Sequence, residues 1–157
     1  MPGHPTHDEL GEPTLKVVGF QVWVHGRERP LSADDDEDNW LRVTAHCGSS
    51  GASVWASCSI LEAQDIVRLR HGCERLERGS VAVAELVSAE PNLNVSIRPT
   101  DSLGHFEMRV EITPALGQQE HVFIFELDQS YLPEIVRQCR AFEAAYPVRG
   151  VASRTGV

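Results

Sequence analysis

Through the middle of the chain apolar residues recur at every second position, and this period constrains the fold more than any other feature. Leu93, Val95 and Ile97 alternate with Asn94, Ser96 and Arg98; Phe106, Met108, Val110 and Ile112 alternate with Glu107, Arg109 and Glu111. Side chains point to opposite faces along a strand, so the pattern predicts antiparallel strands with one buried and one wet face. Pro99 to His105, rich in turn residues, is short enough to join them as a hairpin. From His121 to Leu127, Phe123, Phe125 and Leu127 share one face, while Val122 and Ile124 lie on the other. Apolar residues on both faces predict a central strand covered on both sides.

A second hairpin is expected earlier, where Leu41, Val43, Ala45 and Cys47 and then Ala52, Val54, Ala56 and Cys58 flank Gly48-Ser-Ser-Gly51. Residues 14–24 and 80–87 read as strands with weaker patterning. Two segments switch to helical spacing. Ser59 and Glu62 fit a capping box, predicting a helix that runs to about Gly72. After Asp128-Gln-Ser130, the residues Leu132, Ile135, Val136, Cys139, Phe142 and Tyr146 form a stripe, with Pro133 tolerated in the first turn and Pro147 ending the helix. The element order βββαββββα, without βαβ alternation, predicts an α+β fold: a curved antiparallel sheet of about six to seven strands with helices on one face. The proline- and glycine-rich residues 1–13 and the final residues 149–157 read as tails around a single domain, 14–148.

No apolar run reaches the roughly 18–20 residues needed to span a bilayer, and the polar first residues do not resemble a signal peptide. Cys47, Cys58, Cys73 and Cys139 are scattered without a CxxC pair. Buried free thiols in a reducing compartment fit best, so a cytoplasmic protein is expected. The net charge of −9 repels phosphate backbones and anionic membrane surfaces, which argues against nucleic acid or membrane as a partner. The charge is uneven: residues 1–40 hold nine acids against three bases, and the remainder fourteen against eleven.

The chemistry-bearing motifs are missing. The chain has no GxxxxGK(S/T) or GxGxxG phosphate loop and no HExxH, so neither a nucleotide cofactor nor a metal is expected. Its seven histidines do not fall at i, i+4 on a helix or i, i+2 on a strand. His46 and Cys47 are strand neighbours facing opposite ways, which rules them out as a base and nucleophile pair. Glu107, Glu111 and Glu126 lie on the wet face of a sheet. No enzymatic activity is expected.

One local feature departs from this background. Asp34, Asp35, Asp36, Glu37 and Asp38 form an unbroken acidic run just before Trp40. Like charges in a block are commonly a solvated loop; read functionally, these residues and Trp40 are a candidate partner-binding surface for a basic protein. The run lacks the spaced ligands and the glycine of a calcium loop.

Asn39-Trp40-Leu41, Glu90-Pro-Asn-Leu93, Leu103-Gly-His105, Phe125-Glu-Leu-Asp-Gln-Ser-Tyr-Leu132 and Tyr146-Pro-Val148, with FELDQSYLPEIVRQ the most telling stretch, together resemble the WapI-type immunity proteins of bacterial polymorphic toxin systems. The resemblance runs from about Leu15 to Val148 and implies a small intracellular protein that binds and occludes a cognate toxin domain, a nuclease in the best-known type. It carries over no individual functional residue. A non-catalytic ligand-binding or scaffolding domain is the alternative expectation: a deep apolar pocket with convergent polar groups would mark it, whereas a flat acidic patch would mark a protein partner.

Overall fold

A computed structural model of the chain describes residues 5–29, 38–80 and 82–150. A short helix α1 (His7–Leu10) precedes four strands, β1 (Leu15–Val17), β2 (Phe20–Arg27), β3 (Trp40–Ser49) and β4 (Ala52–Glu62), and the helix α2 (Ala63–Glu77). The same order then repeats: β5 (Ala84–Val87), β6 (Leu93–Pro99), β7 (His105–Ile112), β8 (Val122–Asp128) and the helix α3 (Tyr131–Ala145). Each set of four strands forms its own antiparallel sheet with neighbours in sequence order, here called sheet A and sheet B. The single curved sheet expected from the alternation is therefore two four-stranded sheets, which share one hydrophobic core.

The helices join the two halves by crossing over. α2 follows sheet A but packs against β5 of sheet B, whereas α3 follows sheet B and packs against β1 of sheet A. The two helices also pack on each other, and Arg70 fixes the contact. Its Nε and Nη2 donate to both carboxylate oxygens of Glu143 (2.6 and 3.0 Å), and its Nη1 donates to Glu74 (2.9 Å). Bidentate pairing of this kind is directional as well as strong.

Local geometry explains where the sequence pattern misleads. Residues 14–24 split into β1 and β2 because the chain reverses at Val18-Gly19, with Val18 at φ +53°. No larger residue fits at the second position: a Cβ on Gly19 would lie 2.1 Å from the Gly48 carbonyl oxygen and 3.0 Å from the Phe125 ring. The first long helix starts at Ala63, after Ser59 to Glu62 have continued as strand; a bulge near Ile60 lets both Ile60 and Leu61 enter the core. Its box is formed by Glu62 and Asp65, not by Ser59 and Glu62. Gly72 does not end this helix but lies inside it, where a Cβ would meet Ala84 of β5 at 2.6 Å. The glycine thus marks a close helix-to-strand approach. The β3–β4 hairpin closes through Ser50 and Gly51, both at positive φ as the primed two-residue turns require. Cys47, Cys73 and Cys139 are buried as expected, but Cys58, at φ +148°, is exposed.

The last strand overturns an expectation with functional weight. Among the described residues β8 is not central but an edge, paired with β7 alone. Val122 and Ile124, expected to be covered, are 46% and 57% exposed.

Candidate functional site

The two sheets bury their inner faces against each other and differ in what lies on their outer faces. On sheet A the register aligns Gln21, His46 and Trp55, and beside them Trp23, Thr44 and Ser57. Helix α1 folds back over this row. Its capping box is made by Thr6 and Glu9, and the indole Nε1 of Trp23 donates to the Gly11 carbonyl at 2.9 Å. The His7 ring then lies 5.5 Å from Trp23, 4.7 Å from His46 and 5.0 Å from Trp55, centroid to centroid. Under this cover Trp23 is 3% exposed and His46 7%.

The polar atoms in this cluster satisfy one another. Gln21 Oε1 faces both His7 Nε2 (2.8 Å) and His46 Nδ1 (3.3 Å), so each ring carries a proton toward it, which leaves His46 Nε2 to accept from the Ser53 hydroxyl at 2.6 Å. A serine on an oriented histidine is the start of a nucleophile and base pair. Here the imidazole is packed between the rings of His7 and Trp55, the latter at 4.3 Å. Burial, reinforced by nearby His7, pushes the His46 pKa below the ordinary imidazole value. Among the described residues no three histidine, cysteine or carboxylate groups come together as metal ligands would. Burial also raises the thiols of Cys47 and Cys73 to about 12, too high for a nucleophile at neutral pH.

Among the described residues no helix folds over the outer face of sheet B as α1 does over sheet A; α2 borders it only at β5, where Arg68, His71 and Arg75 share a groove with Glu85 and Val87. Cross-strand register places Glu85, Ser96, Arg109 and Ile124 in one row, and Val87, Asn94, Glu111 and Val122 in the next; Arg98, Glu107 and Glu126 form a third. Carboxylates outnumber guanidiniums. Arg98 pairs with Glu107 at 2.9 Å and Arg109 with Glu111 at 3.1 Å, while Glu85, Glu126 and Asp128 add negative charge around them. The Ser130 hydroxyl and amide both donate to Asp128, holding its carboxyl below the usual carboxylate range. Val87, Val122 and Ile124 supply exposed apolar surface on the same face. Apolar side chains ringed by charge, on an exposed sheet face, have the make-up of a protein interface rather than of a ligand pocket. Two cavities, of about 570 Å³ beside Val67 and Val148 and about 490 Å³ between β1 and α3, are open grooves.

Of the residues expected to bind a partner, Asp34, Asp35, Asp36 and Glu37 lie outside the described residues. Asp38 and Trp40 are placed at the start of β3. The Asp38 carboxylate accepts from the Trp40 backbone N–H at 3.1 Å and faces Arg29 Nε at 3.6 Å, and Trp40 is half-buried opposite Glu62. Next to them Asn39 Oδ1 accepts from the Arg149 backbone N–H at 2.7 Å, and Arg27 donates to the Pro147 carbonyl, tying this end of the connection to the chain beyond α3. Glu107, Glu111 and Glu126 occupy the wet face of a sheet, as expected. What sequence reasoning missed is their association with Val122 and Ile124, and the gathering of His7, Trp23, His46 and Trp55. The available signal for that cluster was two tryptophans and a histidine in the polar register of three adjacent strands.

Fold and surface together define a class: a two-sheet α+β protein presenting one sealed and one open acidic sheet face. Residues 15–147 match the immunity protein WapI-like family, and the chain belongs to it. No curated protein matches the chain. Among solved structures it is distantly similar to WHY1 from Arabidopsis thaliana (12% identity, TM-score 0.47, covering 85% of this chain and 86% of that one). A comparable likeness is to the plant transcriptional regulator PBF-2 (14% identity, TM-score 0.44, covering 88% of this chain and 79% of that one). At this distance neither likeness bears on function.

Proposed function

We propose that this chain neutralises a cognate toxin domain by binding it one to one and occluding its active surface, without catalysis of its own. Membership of the immunity family supports the general reading. The observation that carries the finer one is the open acidic face of sheet B, with Ile124 and Val122 at its edge. A nuclease must present basic surface to its substrate, so the toxin that best fits this face is a nuclease domain; complementary charge speeds encounter and fixes orientation. The acidic run from Asp34 to Asp38 would add long-range attraction in the same sense, with Trp40 and Asp38 holding its end. The net charge of −9 keeps nucleic acid and anionic membranes off the protein, and a cytoplasmic site of action suits an inhibitor that meets an incoming toxin.

Co-expression tests this directly. Cells making the toxin domain encoded immediately upstream of this chain's gene should stop growing, and should recover when the chain is supplied. Continued arrest, with no complex recovered from the two purified proteins, would end the proposal.

A further inference from the structure

Four strands border the two sheets, and three of them are guarded. The β1 edge is closed by α3: Gln138 Oε1 accepts from the Lys16 backbone N–H at 2.7 Å, and Gln138 Nε2 donates to the Lys16 carbonyl at 3.0 Å. The β5 edge is covered by α2, which comes close enough there to require Gly72. β4 carries the bulge near Ile60 and the positive φ of Cys58, irregularities that spoil a strand as a template for pairing. β8 has none of these devices. Its register with β7 runs unbroken from His105↔Asp128 to Glu111↔Val122, and its sequence, VFIFELD, holds no proline and no lysine.

The direction of its free hydrogen-bonding groups follows from the ladder. The Ile112 N–H donates to the His121 carbonyl at 3.1 Å, so the residues two and four further along, Phe123 and Phe125, also bond to β7. The N–H and C=O groups of Val122, Ile124 and Glu126 therefore point away from the sheet. None of them finds a backbone partner among the described residues. Their side chains lie on the outer face, apolar at 122 and 124 and acidic at 126 and 128, while Phe123, Phe125 and Leu127 form the inner side. Val18, itself 41% exposed, adjoins Gly19, which abuts the Phe125 ring.

We infer that β8 is a strand-addition site, where an extended segment of the toxin pairs with the open edge and lengthens sheet B to five strands. This rests on the immunity reading and names its contact. Main-chain bonds to Val122, Ile124 and Glu126 set the register, and side chains at alternate positions give specificity. The occupant is a basic strand: charge complementarity requires lysine or arginine beside Glu126 and Asp128, and apolar side chains beside Ile124 and over Phe123 and Phe125. A two-sided apolar strand at a sheet edge, which misled the sequence reading, is what such a site needs when empty.

The experiment is amide hydrogen exchange on the full chain, alone and with the upstream-encoded toxin domain, together with the variants Ile124→Pro and Ile124→Val. Proline at 124 removes an N–H that points away from β7, so the ladder survives while the added strand is blocked. The Val122, Ile124 and Glu126 amides should exchange freely in the lone protein and slow by at least about tenfold in the complex. Ile124→Pro should weaken binding by about a hundredfold and Ile124→Val by no more than about threefold. A wild-type complex with those amides still unprotected overturns the site and leaves the immunity reading standing; if Ile124→Pro unfolds the protein, exchange on the wild type still decides. Wild-type protein that does not bind the toxin domain overturns both. A concentration-dependent dimer of the lone chain, abolished by Ile124→Pro, would make a second copy the occupant and overturn the toxin strand.

Discussion

The outer faces of sheets A and B start from the same antiparallel ladder and reach opposite states. On sheet A the polar register carries aromatic and imidazole groups, and the chain covers them with its own N-terminal helix, using His7 as the plug. On sheet B the register carries carboxylates with three aliphatic side chains, and of the described segments only α2 borders them, at Glu85 and Val87. The difference separates two uses of a sheet surface. A face whose hydrogen bonds and rings are mutually satisfied contributes to stability, and a face left acidic and partly apolar is available to a partner. Changes on A should therefore appear in melting and changes on B in binding.

The largest effect expected is on the sealed face. Trp23→Ala would empty the slot between His7, Trp55 and the sheet and should destabilise the protein by about 3 kcal/mol, read from urea unfolding. Binding per folded molecule should be unchanged. A large loss of affinity at unaltered stability would break the comparison, because it would make the covered face a contact.

On the open face Ile124→Asp should do the reverse. A 57% exposed side chain contributes little to folding, so stability should shift by less than about 0.5 kcal/mol, while toxin affinity falls by about 2–3 kcal/mol as an interface anchor is lost. Isothermal titration beside a thermal melt separates the two.

A third test uses pH. The pKa of His46 is lower in the folded protein than in the unfolded chain, mainly through burial and secondly through His7. The unfolded chain therefore binds more protons below the ordinary histidine value, and the stability linked to His46 is complete above that value and is lost as pH falls through it. The melting temperature should decline as pH falls below the ordinary histidine value, with the slope flattened in His46→Gln, whose amide can still bond Ser53. An unchanged slope would remove His46 from the account of the sealed face.

The smallest effect concerns the acidic run. Replacing Asp34 to Glu37 with serine, keeping Asp38 because it holds the Trp40 amide, should slow association a few-fold at low salt and leave dissociation and stability alone. Equal association rates in stopped-flow mixing would assign that run to solvent.

Most strands were legible from the sequence because alternation and turn residues agree, as in Leu93 to Ile112 and around Ser50-Gly51. The errors share a physical cause: tertiary close approaches that leave no periodic trace. Gly19 and Gly72 were unremarkable in sequence, yet one permits the β1–β2 reversal against Gly48 and the other lets α2 touch Ala84. The bulge near Ile60 hid the true helix start at Ala63. The candidate site was half legible. Glu107, Glu111 and Glu126 announced a wet face, but two apolar residues opposite the phenylalanines of β8 announced a covered one, and a sequence cannot say whether the cover is the chain itself or another molecule. His7 lay in what reads as a tail, so its role over Trp23 and Trp55 was invisible until the strands were in register.

The open face of sheet B is proposed to stop the toxin. The most direct test of this is a titration of the toxin domain's activity on its substrate with increasing amounts of this chain, followed by mapping of the protected amides at the end point. Activity should fall linearly to zero at one equivalent, with protection gathering on β7 and β8. Full activity in the presence of excess chain, or neutralisation with protection confined to sheet A, would contradict the proposal.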